Sequence, residues 1–571
     1  MQETFYPHPS SCEFSYPRPV GDPRTHAQAP GSTAVRGWLP LLAFAALHLT
    51  TAIFFVFGRA PGTDAALTGV PLDDAWIHLV YARNLAWGHG FAYNPGELEA
   101  GFTSPLWAVL LVPAVWAEAA TGVSVIFWAK VIGTGVGIAA SALAFRLCLR
   151  LGVGRAAAWL AGGLIAVDPS LAFAQVSGME VVLAAAAVLL ALERLAAPGI
   201  RGAGIALALA PLARPENALI TTLGMAALAF VLLRERAPWW RWMAVLAPIA
   251  AAAAAWTGYC LLVTGRLLPN TFYVKARAGR GGWLANFRQL LDGMVMELPW
   301  MAFGAGLVLA LVGAWVLVGG ALRRRRDGTP DETATLGVRC ARGLLVLAVP
   351  VFLAGVGFVH ALVQTQPYYW NRYFQPVIAL LLVLIAVGAV ELWRALRSRR
   401  QGGNVGADAV VSIPRPGWGP VRRSGGTVLA LAVYAMASYR VPERLKDDAI
   451  LFAWNCQNIN ELNVKVGHWL AANAGPDDWI ATHDAGAIRY WSGRRVLDFV
   501  GLNSHRVLRE GATAEVLRVR PRFFAAFPKV FPALAKNPSL EVVFRAHAHV
   551  LTICDCPQDE LVVLRPRDGA R

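Results

Sequence analysis

Long apolar segments separated by short basic clusters are the feature that most limits the possible folds of this chain. Residues 38–57 contain no charged side chain, and a helix of about 20 apolar residues is long enough to cross a bilayer. The chain of 571 residues is 56% hydrophobic and only 15% charged, whereas soluble domains are about a quarter charged. We therefore predict a polytopic α-helical membrane protein.

The basic clusters predict its topology, because Lys and Arg concentrate on the cytoplasmic side of a membrane. Arg36 precedes the first apolar segment, and residues 323–326 are four consecutive arginines. Residues 105–121 are assigned to the outer interface, since a crossing there would place the arginines of 146–155 outside. About eleven crossings follow, at residues 38–57, 124–147, 156–174, 181–197, 202–213, 217–233, 243–263, 299–321, 343–363, 373–394 and 425–440. The odd number predicts an extracytoplasmic C-terminus on a multi-pass protein of a bacterial inner or plasma membrane.

The two ends of the chain differ in composition from the membrane region at residues 36–440. Residues 1–35 are rich in Pro, Ser and His and predict a disordered cytoplasmic tail. Residues 441–571 are more polar and predict a small extracytoplasmic α/β domain. Its predicted strands are WIATHDAG, RRVLDFVG, LEVVFRAHAHVLTI and ELVVLRP. After the first strand, Asp484 is placed to cap a short helix.

Several functional classes are excluded by composition and spacing. The net charge of +16 is explained by cytoplasmic basic residues, and without basic runs interleaved with aromatics we expect no nucleic-acid partner. The seven cysteines form no CxxC pair, so neither a zinc nor a redox motif is present.

The small residues of GTGVG, at positions 133–137, predict close packing between membrane helices rather than a phosphate-binding loop.

An adjacent pair of carboxylates, Asp73 and Asp74, follows the first apolar segment in the stretch PLDDAWIHLVYARN. Acidic residues favour a helix N-terminus, so one interpretation is that they cap a helix. The other is catalytic: Asp74, His78 and Tyr81 would share one helix face, and a carboxylate beside a bilayer can accept a proton from a hydroxyl.

The order of motifs resembles the GT-C glycosyltransferases, in the branch that includes arabinofuranosyltransferase B. The stretches that carry the resemblance are DDAWIHLVYARNLAWGHGFAYNPGE, GFTSPLW, SGME, ARPEN, PNTFYVKA, RYFQP and HDAGAIRYWSGRRVLDFVGLNS. The resemblance implies a GT-C-like membrane domain that transfers a sugar from a polyprenyl-phosphate donor to a cell-envelope glycan. Arabinofuranose or another pentose or hexose would be the sugar, transferred with inversion, and we expect no cofactor beyond the lipid-linked donor.

The candidate site follows from the predicted outer loops. Asp73 and Asp74 are the candidate catalytic residues, and no third ligand beside them suggests a metal. Basic residues there suit a lipid phosphate, although Arg83 and Arg372 could equally pair with carboxylates and Arg214 with Glu216. The candidate substrate-binding residues are His78, Arg83, Glu180, Arg214, Glu216, Asn270, Tyr273, Lys275, Trp370 and Arg372.

Three alternative functions remain open from the sequence. One is a non-catalytic assembly partner with an external binding domain. A transporter or flippase of lipid-linked sugars would need ionisable residues near the membrane midplane and inverted repeats, and the apolar segments here contain almost no charge. An oligosaccharide transferase or ligase would differ in the size of the donor glycan, which these residues do not specify.

Overall fold

The computed structural model describes residues 30–58, 60–198, 201–278, 284, 288, 305–326, 335–362, 372–400, 441–549 and 559–567. The chain forms two compact units, residues 1–40 and residues 41–571. Of the first unit, the described part is the beginning of helix α1. All contacts discussed below lie within the second unit.

Helices account for nearly all of the described chain up to residue 400. They are α1 Pro30–Phe57, α2 Ala65–Thr68, α3 Asp73–Ala86, α4 Pro105–Leu110, α5 Val112–Thr121, α6 Val125–Arg150, α7 Arg155–Val167, α8 Pro169–Val176, α9 Val181–Leu195, α10 Arg201–Ala213, α11 Ala218–Arg234, α12 Trp239–Thr264, α13 Asn270–Ala278, α14 Ala305–Arg326, α15 Leu336–Leu362 and α16 Gln375–Arg400. Two short strands, β1 Ala92–Asn94 and β2 Glu97–Leu98, form an antiparallel pair after α3.

Six helices among the described residues are long and apolar enough to cross a membrane, or seven if one bent pair counts as a single span. The bent pair is α7 and α8, which meet at 58° where residues 156–174 were predicted as one continuous segment. Asp168 and Pro169 explain the break: the Asp168 carboxylate accepts a hydrogen bond of 3.0 Å from Leu171 N, and Pro169 starts the next helix.

The predicted number of eleven crossings is thus only partly matched by length and composition. Helix α9 has 15 residues, and the apolar parts of α10 and α14 are also shorter than a full span. Residues 105–121 form two consecutive helices, α4 and α5, and the predicted crossing at 425–440 lies outside the described residues.

The C-terminal region, residues 441–549 and 559–567, combines helices with one mixed sheet. Its elements are α17 Val441–Ile459, a π-helical turn Asn460–Val464, α18 Lys465–Asn473, β3 Trp479–Thr482, α19 Ala487–Ser492, β4 Arg495–Asp498, α20 His505–Glu510, α21 Ala512–Val519, β5 Phe523–Ala526, α22 Pro532–Ala535, β6 Leu540–His547 and β7 Glu560–Pro566. The strand order is β4-β3-β5-β7-β6; β3 is parallel to β4 and β5, and β7 is antiparallel to β5 and β6. The four predicted strands are present, and β5 was missed.

Two glycines of the GTGVG stretch allow close approach between α6 and α8, as the sequence predicts. A Cβ on Gly133 would overlap the backbone oxygen of Gln175. A Cβ on Gly137 would lie 2.8 Å from the Gln175 side-chain oxygen and 2.9 Å from His48 Nδ1. Gly135, between them on the sequence, faces open space. The glycine at 133 is therefore required by packing against backbone. The one at 137 lies against two side chains, and the one at 135 has no such neighbour.

This difference predicts that alanine lowers the stability of the protein at position 133 but not at position 135. We expect Gly133→Ala to lower the free energy of unfolding by about 1–3 kcal/mol, the usual cost of overpacking, because the Cβ meets backbone rather than a movable side chain. Gly135→Ala is the matched control and should be neutral or slightly stabilising, since Ala is the better helix former. Thermal unfolding in detergent measures both, and equal stability of the two variants would contradict the packing argument.

Candidate functional site

Asp73 and Asp74 begin helix α3 and point in different directions. Successive side chains on a helix project about 100° apart, so neighbouring carboxylates cannot share one environment. Both lie in the first turn, where the helix dipole favours negative charge. The two aspartates contact two different parts of the molecule.

Asp73 is bound by the backbone of the C-terminal region. Its Oδ2 accepts a hydrogen bond of 2.7 Å from Gly486 N, and its Oδ1 accepts one of 2.8 Å from Ala487 N. Burial raises the pKa of Asp73 well above its usual range, and the nearby Asp484 carboxylate adds to the increase although the two N–H donors oppose it.

The prediction that Asp484 caps the helix following β3 is therefore wrong. Asp73, distant in sequence, binds the N-terminus of α19, whereas Asp484 Oδ2 accepts a hydrogen bond of 2.9 Å from Asn463. A carboxylate does bind the N-terminus of α19, as the sequence predicted, but it comes from a distant part of the chain.

Asp74 is the more open of the two carboxylates, with 47% of its side chain exposed. Its Oδ2 accepts a hydrogen bond of 2.9 Å from Arg372 Nη1. The Arg372 side chain is only 8% exposed, so the ion pair has one solvent-accessible member and one buried member. Asp74 is thus accessible to solvent, and it lies at the edge of a cationic cluster formed by Arg214, Lys275 and Arg372.

The cationic cluster is built around the buried ring of Tyr373. Tyr373 OH accepts hydrogen bonds from Arg372 Nη2 at 3.1 Å and from Lys275 Nζ at 3.3 Å. The guanidinium carbons of Arg372 and Arg214 lie 5.0 and 5.1 Å from the ring centroid. Burial alone would raise the pKa of Tyr373, but the three cations outweigh it and lower the pKa below the usual value.

A buried network of ion pairs holds Arg214 in this cluster. Arg214 Nη1 donates to Glu180 Oε1 at 2.6 Å, and two further nitrogens donate to Glu216 at 2.9 and 3.1 Å. His78 Nε2 lies 3.2 Å from Glu180 Oε2. Burial opposes the ionisation of Glu180, yet Arg214 and His78 lower its pKa far below the usual range. Arg214 is thus fully charge-compensated.

The other candidate residues make contacts of their own or lie outside the described residues. Arg83 Nη1 donates to Tyr490 O at 2.8 Å, and its guanidinium lies 4.2 Å from the Tyr490 ring centroid. Asn270 Nδ2 donates to Glu99 Oε2 at 3.0 Å. Tyr273 lies under Arg266, at 4.6 Å, and Trp370 is not among the described residues. These contacts place Arg83 and Asn270 in structural joints rather than beside Asp74.

Two residues near the site were missed by the sequence reasoning. Tyr373 stands in the RYFQP stretch beside Arg372, but an aromatic residue at a membrane end is usually an interface residue. Lys130 is a lone lysine in an apolar helix, a pattern that favours function or a buried contact. Its ammonium donates to the backbone oxygens of Ala66 and of Gly69, the latter at 2.8 Å, and so anchors the chain just before Asp73. That signal was available in the sequence.

The described residues contain no group of three or more His, Cys, Asp or Glu side chains placed to hold a metal ion. A site that works without a metal stays a prediction. The site places the accessible carboxylate of Asp74 next to the cations Arg372 and Lys275. Such a site can bind an anionic group and accept a proton from a hydroxyl beside it.

Comparison with known proteins shows which folds this chain is similar to. Residues 455–561 match a family described as a domain of unknown function (DUF8728). No curated protein matches the chain. The crystal structure of ArnT from Cupriavidus metallidurans bound to undecaprenyl phosphate is similar, with a TM-score of 0.53, 13% identity, and coverage of 94% of this chain and 99% of that chain.

Two further solved structures are less similar. AglB from Archaeoglobus fulgidus, in complex with an inhibitory peptide and a dolichol-phosphate, has a TM-score of 0.49, 13% identity and coverage of 87% of this chain and 70% of that chain. Arabinofuranosyltransferase AftD from Mycobacteria has a TM-score of 0.46, 17% identity and coverage of 94% and 42%. The chain is a mostly helical protein with several helices long and apolar enough to cross a membrane, and its fold is similar to that of ArnT.

Because Arg214 forms buried ion pairs, we expect even a substitution that keeps its positive charge to lower the stability of the protein strongly. Arg214→Lys cannot reproduce the fork of hydrogen bonds to Glu216 while also reaching Glu180, so we expect a loss of about 2–4 kcal/mol of unfolding free energy, as for a disrupted buried pair. Arg241→Lys is the control: its pair with Glu235 is partly exposed and should change stability by less than about 1 kcal/mol.

Thermal unfolding at several pH values measures both variants. Because the pKa of Glu180 is lowered, its contribution to wild-type stability is present above the ordinary carboxylate pKa and is lost only as the pH falls below that range. If Arg214→Lys were no less stable than Arg241→Lys at neutral pH, the buried network would not stabilise the site as we describe.

Proposed function

We propose that this protein is a membrane glycosyltransferase that transfers a sugar from a polyprenyl-phosphate donor to a cell-envelope glycan. The sugar is arabinofuranose or another pentose or hexose, and the reaction is a single displacement with inversion. We place the reaction on the extracytoplasmic side of a bacterial inner or plasma membrane, with eleven crossings in the chain.

The observation that carries the proposal is the position of Lys275. Among the described residues, Arg214 is paired with Glu180 and Glu216 and Arg372 with Asp74. In the same part of the chain, Lys275 has no carboxylate within 4 Å and contacts Tyr373 OH instead. Glu216 interacts with Lys275 electrostatically at longer range, but a cation that forms no direct ion pair with the described residues is still suited to an incoming anion. A phosphodiester at the membrane surface supplies such an anion.

Binding of the lipid phosphate would also prepare Asp74 as a general base. Phosphate oxygens at Lys275 and Arg372 compete with Asp74 for the Arg372 guanidinium, since both are anions on the same donor group. Release of Asp74 from Arg372 leaves a half-exposed carboxylate next to the bound donor. Donor binding and base activation would thus be coupled through one arginine.

The transfer step then needs only the residues of the cluster. An acceptor hydroxyl gives its proton to Asp74, and its oxygen forms a new bond to the anomeric carbon of the donor sugar. The bond from that carbon to the phosphate oxygen breaks, and its electron pair leaves with the polyprenyl phosphate. Lys275 and Arg372 stabilise the charge that develops on the leaving phosphate.

ArnT supports the class of lipid substrate, because it was crystallised with undecaprenyl phosphate and shares the fold. The sugar and acceptor are best tested by mass spectrometry of lipid-linked sugars and envelope glycans in cells with and without the gene. We expect one polyprenyl-phosphate sugar to accumulate when the gene is absent. Identical lipid-linked sugars and glycans in both strains would refute the proposal.

Neutralising Asp74 tests the general base. We expect Asp74→Asn to reduce the transfer rate by about 100- to 10,000-fold, the usual contribution of general acid–base catalysis. Binding of undecaprenyl phosphate should be unchanged or tighter, since a competing anion is removed from Arg372. The activity measured is consumption of lipid-linked sugar extracted from cells that lack the gene.

Asp64→Asn is the matched control for this experiment. Asp64 is an exposed aspartate that precedes α2 in the same segment and makes no side-chain cap, so its substitution should leave the rate unchanged. Because the assay measures transfer, a fully active Asp74→Asn variant would refute Asp74 as the general base. A wild-type protein that consumes no lipid-linked sugar would favour a flippase.

Tyr373→Phe tests the cationic cluster. The substitution keeps the ring under the cations but removes the oxygen that Arg372 and Lys275 share. Hydrogen bonds to charged groups contribute about 1.5–3 kcal/mol, so we expect the affinity for undecaprenyl phosphate to fall about tenfold or more. Tyr259→Phe, which loses only hydrogen bonds to backbone oxygens, should keep its affinity. Equal affinities in a lipid-binding assay would show that Tyr373 does not organise the phosphate site.

A further inference from the structure

We propose that the C-terminal region is part of the catalytic site and that Gly486 is the positioning residue through which it acts. This inference rests on the proposed function, because it concerns the orientation of Asp74. It also gives a role in this chain to the region that matches a domain of unknown function, residues 455–561. Gly486 touches neither donor nor acceptor in this proposal; it acts through Asp73.

The first argument is the contact between Asp73 and the backbone of residues 486 and 487. Each carboxylate oxygen of Asp73 accepts one backbone N–H, at 2.7 and 2.8 Å. This two-point contact fixes the rotation of the carboxylate, which a single hydrogen bond would leave free. It is an interaction between the first residue of α3 and the N-terminus of α19, 413 residues apart in sequence.

The second argument is steric. A Cβ on residue 486 would overlap the backbone oxygen of Asp73 and lie 2.7 Å from its Oδ2. Only glycine therefore lets this backbone approach close enough to donate both hydrogen bonds. The requirement is one of space rather than of backbone conformation, because φ at Gly486 is −90°.

The third argument is that the contact belongs to a continuous joint between the first loop and the C-terminal region. Tyr93 OH donates to Ala485 O at 2.6 Å. Asn94 and Val496 exchange two hydrogen bonds of 3.0 Å each. The Trp76 ring packs on Tyr490, with centroids 5.0 Å apart. The segment that contacts Asp73 is therefore held in place on both sides.

The consequence for catalysis follows from helix geometry. Asp73 and Asp74 are consecutive on α3, so a contact that holds the first turn through Asp73 also sets the direction in which the Cα–Cβ bond of Asp74 leaves the helix, about 100° around the axis. With Asp73 bound to residues 486 and 487, Asp74 faces Arg372. Loss of the Asp73 contact would let the first turn of α3 shift and move the base relative to the donor, and a misplacement of about 1 Å can cost about 100-fold in rate.

Gly486→Ala in the full-length protein tests this inference. We expect the turnover rate on lipid-linked sugar extracted from cells that lack the gene to fall about 10- to 100-fold. The KM for that donor and the affinity for undecaprenyl phosphate should stay near the wild-type values, because Arg214, Lys275 and Arg372 do not contact residue 486. Gly475→Ala is the matched control in the same region, since its Cβ would meet only the Asp478 carboxylate, at 3.3 Å, and it should keep full activity.

The possible outcomes separate the inference from the proposed function. A folded Gly486→Ala variant with the wild-type turnover rate would overturn the inference, while an inactive Asp74→Asn variant would still support the proposed base. A Gly486→Ala variant that loses turnover and lipid binding together would also overturn it, because that result indicates general disruption.

If Gly486→Ala does not fold, Asp73→Asn replaces it. The carboxamide has nearly the same shape, but it presents an NH2 group to one of the two backbone donors and so keeps only one hydrogen bond. We expect the same loss of turnover with donor affinity retained. Wild-type turnover in Asp73→Asn would overturn the inference equally.

Discussion

The ion pair between Asp74 and Arg372 is the interaction on which the rest of the site depends. It joins the start of a helix in the first loop to the segment that precedes the last described membrane helix, 298 residues later. Arg372 is buried and Asp74 is half exposed, so the arginine is held while the carboxylate can still meet a substrate. In our proposal, an anion that competes for Arg372 releases Asp74 from this ion pair.

The surrounding charges are arranged so that only part of the cluster can bind a new anion. Arg214 is neutralised by Glu180 and Glu216, which keeps a buried charge compensated and positions it against the Tyr373 ring. Lys275 shares the Tyr373 hydroxyl with Arg372. In our proposal, Arg214 therefore shapes the cluster, and Lys275 and Arg372 receive the phosphate.

Local patterns in the sequence predicted many elements and failed where a distant partner intervened. Alternating apolar residues located β3, β4, β6 and β7, because half-buried strands repeat every two residues. The continuous segment predicted at 156–174 is bent, although Asp168 followed by Pro169 is a helix-start signal visible in the sequence. The cap on α19 was assigned to Asp484 because it was the nearest carboxylate, and the structure uses Asp73.

The sequence alone determined that the chain is a helical membrane protein with a C-terminal α/β region. It also identified the acidic pair Asp73 and Asp74 as the candidate functional residues. These properties are local, since they depend on hydrophobicity, periodicity and neighbouring residue types. Only the tertiary structure decided which aspartate is anchored, which is accessible, and which cations meet around Tyr373. The contacts of Asp73, Asp74 and Lys275 join residues 413, 298 and 98 positions apart, and no short-range pattern specifies how such distant segments come together.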